Sequence, residues 1–200
     1  MEVVMTRVQK LIPLILIGMF APFAANAQSA ADIAAAVLPL PEDLRADATV
    51  YTYDENTGAR IVLKQGSNFF ECQPLNEESG FTRCQGTAGS GRRDLSAKLS
   101  AQGLSGEELQ AALTAAENRG EIAPRLFGSV AYRTYNQPDR IQLLMVVSLP
   151  GATAESLGMP TGRQRDNALA GKGRPWMMRP GTPGAHLMIP INGTDLSNQP

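Results

Sequence analysis

Residues 94–120, DLSAKLSAQGLSGEELQAALTAAENRG, carry the strongest local signal in the chain and decide its fold class. Leu95 and Leu99 stand four apart, the spacing of one helical face, and Gly103 closes that segment. Ser105 followed by Glu108 has the spacing of a capping box, and Leu104 with Leu109 has that of a hydrophobic staple. Leu109, Ala112, Leu113 and Ala116 then repeat at helical period until Gly120 supplies a stop. The expectation is a helical hairpin over about 94–120.

Toward the N-terminus the period changes from helix to strand. Gly86 to Arg93 is rich in glycine and reads as a surface loop. Thr49 to Tyr53 is β-branched and aromatic, Ala59 to Lys64 alternates, and turn residues 54–58 lie between them, the pattern of an antiparallel hairpin. Phe69 to Cys72 and Phe81 to Cys84 read as a second hairpin around the polar residues 76–80. Ala31 to Val37 reads as a short helix.

Toward the C-terminus, Val130 to Tyr135 alternates weakly. Ile141 to Leu149 is an apolar run that predicts a central strand buried on both faces. Residues 175–178 and 185–191 read as final strands. Strands, helices and strands again, joined mainly by hairpins, predict an α+β domain with an antiparallel or mixed sheet and a helical hairpin inserted mid-chain.

The first 27 residues stand apart. Arg7 and Lys10 precede an apolar run, Leu11 to Phe20, and Ala25-Asn26-Ala27 follows as a small-x-small cleavage site. This is the layout of a secretory signal peptide, and the run is shorter than the roughly 20 residues a spanning helix needs. The expectation is export to the bacterial periplasm or exterior, with a single domain over 28–200, a disordered tail after about 192 and no transmembrane segment after cleavage. Cleavage removes Glu2, Arg7 and Lys10, which takes the formal charge from −1 to about −2. That balance gives no electrostatic case for nucleic acid. The two cysteines, Cys72 and Cys84, both lie in the mature part. In an exported chain a lone pair is expected to oxidise, and eleven intervening residues exclude a C-x-x-C redox motif.

The chemistry-bearing residues are few. His186 is the only histidine, and there is no G-x-S-x-G, H-E-x-x-H or C-x-x-C motif. No cofactor motif is present. Glu71, Glu107, Glu108 and Asp139 are the carboxylates a weak hydrolase would draw on, but they share no mutual signature. His186 and Met188, with Met177 and Met178 on the neighbouring segment, are the weak candidates for a copper site, since thioether and imidazole favour Cu(I). The competing account of these methionines is core packing. Arg163, Arg165, Lys172, Arg174, Trp176 and Arg179 form a locally basic stretch that offers a surface to an envelope or protein partner, against the plainer account of a solvated loop.

Four segments occur in a recognisable order: Ala48-Thr49-Val50-Tyr51, Gly66-Ser67-Asn68-Phe69-Phe70-Glu71-Cys72, the helical pair from Leu99 to Leu113, and Gly181-Thr182-Pro183-Gly184-Ala185-His186. In this the chain resembles a family of uncharacterised exported bacterial proteins over roughly residues 48–191. The resemblance implies no assigned activity and no catalytic residues. It also places histidines of relatives where this chain has Leu143 and Gly184. The reading that results is an exported, disulfide-stapled protein with a binding or structural role, the hydrolase being its rival.

Overall fold

The computed structural model describes residues 29–136, 143–159 and 175–191. The segment 1–27, Asp139, Arg163, Arg165, Lys172, Arg174 and the tail after 192 lie outside the described residues. Among the described residues, four α-helices, α1 (Ala30–Ala36), α2 (Glu42–Arg45), α3 (Ser90–Ala101) and α4 (Gly106–Asn118), accompany eight strands. The strands are β1 (Thr49–Tyr53), β2 (Arg60–Lys64), β3 (Phe70–Asn76), β4 (Phe81–Gly86), β5 (Val130–Tyr135), β6 (Leu143–Ser148), β7 (Trp176–Met178) and β8 (His186–Pro190). They form one sheet in the order β2-β1-β3-β4-β5-β6-β8-β7. Only β1 and β3 run parallel; every other neighbouring pair is antiparallel. The fold is therefore α+β on a mixed sheet.

Side chains alternate across a strand, so the register divides the sheet into two faces. One face carries Val50, Phe70, Cys72 and Cys84, and is covered by α1 and the residues after it: Ala36, Val37, Leu40 and Ala48. Cys72 and Cys84 are direct cross-strand partners on β3 and β4, both fully buried, and they form the disulfide. A capping box starts α1, with Ser29 Oγ accepting from the Asp32 amide and Asp32 accepting from the Ser29 amide.

The opposite face carries Tyr51, Glu71, Arg83, Arg133 and, further across, an apolar patch of Leu144, Val146, Trp176 and Met188. The helical hairpin leans over this face at the β1–β3 side. Its own small core is Leu113, Ala116 and Ile122 with Leu95, Leu99 and Leu109, the leucine set the periodicity singled out. Both helices end as the sequence requires. Gly103 and Gly120 take positive φ, and the Leu104 and Glu121 amides reach back to the carbonyls of Leu99 and Ala116, the Schellman pattern.

Three expectations are corrected. The glycine-rich segment is not a loop throughout, because residues 90–93 already belong to α3. Ser105 is the N-cap of α4, but its side chain accepts no capping hydrogen bond, so the box with Glu108 is not made. The strand β6 is central but asymmetric: Leu144 and Val146 are buried, whereas Leu143, Met145 and Val147 are only half-buried.

Candidate anion-binding cleft

Glu71 sits beneath the first turn of α3, on a β3 position where a carboxylate is buried. Burying a charge is costly unless it is paired and hydrogen-bonded. Arg60 donates to both Glu71 oxygens, at 3.0 and 3.2 Å, and Arg93 donates from Nε at 3.0 Å and also from Nη2. The Ser90 hydroxyl adds a bond at 2.8 Å. Arg60 also stacks on the Tyr51 ring at 3.8 Å and donates to Asp94, which accepts from the Tyr53 hydroxyl as well. Burial first, then Tyr51 and the bond to Asp94, push the Tyr53 hydroxyl up from its ordinary pKa. This network ties β1, β2 and β3 to α3. The helix starts at Ser90 despite two neighbouring glycines, and from its first turn Ser90 and Arg93 both reach Glu71.

The β1–β2 turn fits the same junction. Asp54 accepts from Asn56 and from the Thr57 amide and hydroxyl, which holds its carboxyl below the usual range. Gly58 has φ +66, and a Cβ there would fall 2.4 Å from the Ala97 carbonyl oxygen, so the turn and α3 meet where only glycine fits.

With Glu71 satisfied by Arg60 and Arg93, other guanidinium groups on this face remain without a carboxylate. A cleft between α3, the 123–126 segment and the sheet is lined by Gln85, Arg92, Arg93, Arg125, Ser129 and Ser148. It adjoins a larger one of about 740 Å³, which shares Arg92 and Arg125 and adds Glu107, Glu117, Arg179, Thr182 and Gly184. Arg92 is paired with Glu117 on α4, yet its Nε is buried with no hydrogen-bond partner. Arg125 and Arg179 make no ion pair with any described residue. Desolvation, then repulsion from Arg179, lowers the Arg125 guanidinium from its ordinary pKa.

Arg179 is held there at a conformational cost. Its φ of +52 makes it the only described non-glycine residue in the left-handed region, which disfavours L side chains by roughly 1–2 kcal/mol. Its side chain packs over Gly184, where a Cβ would meet the Arg179 Cδ at 3.5 Å. Thr182 closes the turn by donating from its hydroxyl to the Arg179 carbonyl at 2.8 Å.

His186 lies beside this group. Its Nδ1 is 2.8 Å from the Gly184 carbonyl oxygen. Burial lowers its pKa; the bond to the Gly184 carbonyl opposes this, while Arg133, Arg179 and Arg125 add to the lowering, so the ring is neutral at neutral pH. Ser148 is its cross-strand partner on β6, but no hydrogen bond joins the two side chains.

A lowered histidine pKa favours the neutral ring in the folded state. Stability from this site is then full above the unfolded value, near 6.5, and is lost as pH falls through it. The His186→Gln variant removes that dependence. It is expected to match wild-type stability within about 1 kcal/mol at pH 8 and to become the more stable of the two at pH 5. Denaturant unfolding at both pH values checks this, and equal pH dependence in the two proteins would contradict it.

The residues singled out from sequence have diverse places. Met178 and Met188 share the His186 face, and Met177 points to the other. Met188 is buried against Leu144, Val146 and Trp176. Among the described residues, no group of three His, Cys, Asp or Glu side chains is placed to hold a metal. Trp176 is core, so Arg179 is the one described member of the basic stretch at the surface. Glu71 has its oxygens occupied, and Glu107 and Glu108 are exposed on the first turn of α4. No described helix is long and apolar enough to cross a membrane. Arg92 and Arg125 were not singled out from the sequence, because isolated arginines carry no motif. Comparison with family models, with curated proteins and with solved structures finds no match to the chain.

Proposed function

We propose that this chain is an exported bacterial envelope protein whose role is binding, and that its ligand is an anion held in the cleft between the helical hairpin and the sheet. The observation that carries this reading is the approach of Arg125 and Arg179, two cations without a carboxylate, beside the partly unsatisfied Arg92. Like charges are kept close, at a conformational cost at Arg179, where an oxyanion would offset their repulsion. Guanidinium groups suit carboxylate and phosphate because their donors form a planar fork. A cleft of about 740 Å³ is in the range that small ligands occupy. Export is supported by the layout of residues 1–27 and by the disulfide, and the binding role by convergent guanidinium groups in place of an acid–base pair. The likeness to uncharacterised exported proteins fits this reading and adds no activity to it.

Calorimetric titration of the mature protein with inorganic phosphate tests the proposal. Saturable binding is expected, weakened about 10- to 100-fold in Arg125→Gln, the range of a charge-assisted hydrogen bond of roughly 1.5–3 kcal/mol. Arg179→Gly should weaken binding similarly while raising stability, because glycine relieves the left-handed strain. Wild-type protein that binds no phosphate, or variants that bind it equally well, would overturn the proposal.

A further inference from the structure

Away from that cleft, the same sheet face carries a second unbalanced charge. Arg83 on β4 and Arg133 on β5 are direct cross-strand partners. Like charges placed opposite each other destabilise a sheet. Neither forms an ion pair with any described residue, and the Nε of each is buried without a hydrogen-bond partner. Arg83 is held by one bond, from Nη2 to Gln73 Oε1 at 2.5 Å, and both guanidinium groups lie over the Phe81 ring. Burial lowers the Arg83 pKa, and Arg133 and Arg93 add to the shift.

Arg83, Gln73 and Phe81 line a hollow of about 650 Å³, and the same hollow is bounded by Glu55, Glu77 and Glu78. These three carboxylates are exposed on the β1–β2 and β3–β4 turns and make no ion pair with any described residue. A simple anion would be attracted by Arg83 and repelled by the acidic side chains. A simple cation meets the reverse. A ligand carrying both charges satisfies both ends. We infer that this hollow is a second binding site, distinct from the anion cleft, for a small zwitterion of the amino-acid or dipeptide class. Its carboxylate would bond to Arg83 and its ammonium group would face Glu55, Glu77 and Glu78.

The test is an NMR titration of the folded protein that follows the arginine Nε–Hε signals. The probes are glycylglycine, N-acetylglycine, which keeps only the anionic end, and glycinamide, which keeps only the cationic end. Glycylglycine should shift the Arg83 signal saturably. Glycinamide should bind about tenfold more weakly or worse, having lost a charge-assisted bond. N-acetylglycine should bind about threefold more weakly, the scale of an exposed ion pair. Arg83→Gln removes an unpaired buried charge, so it should fold and lose glycylglycine binding while still binding phosphate in the cleft. Glu77→Gln with Glu78→Gln should reduce glycylglycine toward the affinity of N-acetylglycine. An Arg83 signal unmoved by glycylglycine, N-acetylglycine that binds as tightly, or an Arg83→Gln variant that retains binding would overturn the inference.

Discussion

Replacing Glu71 with alanine is expected to destabilise the protein by about 3–5 kcal/mol, the usual result of breaking a buried ion pair by removing one partner. Glu71 is 5% exposed and receives donors from Arg60, Arg93 and Ser90. Without it, two guanidinium groups are left side by side at the junction of β2, β3 and α3. The net value of such a network in the intact protein is small, because desolvation of three charges offsets most of their attraction. The loss is large because it leaves Arg93 without a carboxylate and Arg60 with only the partly exposed Asp94. Total stabilities are typically about 5–15 kcal/mol, so a substantial part of the fold's reserve is at stake. Glu71→Gln, which keeps the shape and one acceptor, should lose less than Glu71→Ala. Urea unfolding measures both. A loss below about 1 kcal/mol in Glu71→Ala would mean that α3 is held chiefly by its leucines.

The second large effect is at the disulfide. Cys72 and Cys84 face each other across β3 and β4, 12 residues apart in sequence and fully buried. The chain-entropy model gives about 3 kcal/mol for a loop of this length, and removal of native disulfides from small secreted domains typically costs about 2–5 kcal/mol. Replacing both cysteines with alanine should lower the melting temperature by about 4–20 °C in a domain of this size. Calorimetry with and without reductant gives the same comparison in the natural chain. In protein recovered from the periplasm or medium, peptide mapping without reductant should find the two cysteines linked. Free alkylation of both thiols would contradict the pairing.

What was legible in the sequence was whatever depends on neighbours along the chain. Leu95, Leu99, Leu109, Leu113 and Ala116 show their helical face by spacing alone, and they pack together as that spacing requires. Thr49–Tyr53 and Arg60–Lys64 form a hairpin because β-branched and aromatic residues flank a turn whose Asp54 and Gly58 have local work to do. The helix start at Ser90 was not legible. Gly89 and Gly91 argue for a loop, and they are overruled by bonds from Ser90 and Arg93 to a carboxylate about 20 positions earlier. Ser105 shows the converse, a local motif present in sequence whose side chain is not used. The candidate cleft was the least visible. Its arginines come from α3, from the segment after α4 and from the β7–β8 turn, and only the sheet order brings them together. Among them, Arg179 alone belongs to the basic stretch whose composition suggests a partner surface.

The most direct test of the central claim is to observe the cleft arginines while an anion binds. In protein labelled with ¹⁵N, the Nε–Hε signals of Arg92, Arg125 and Arg179 can be followed during titration with inorganic phosphate. All three are expected to shift together along one saturation curve, while Arg60, held against Glu71 and Asp94, stays in place. Shifts confined to other arginines, or signals of Arg125 and Arg179 that do not move as phosphate is added, would contradict an anion-binding role for this cleft.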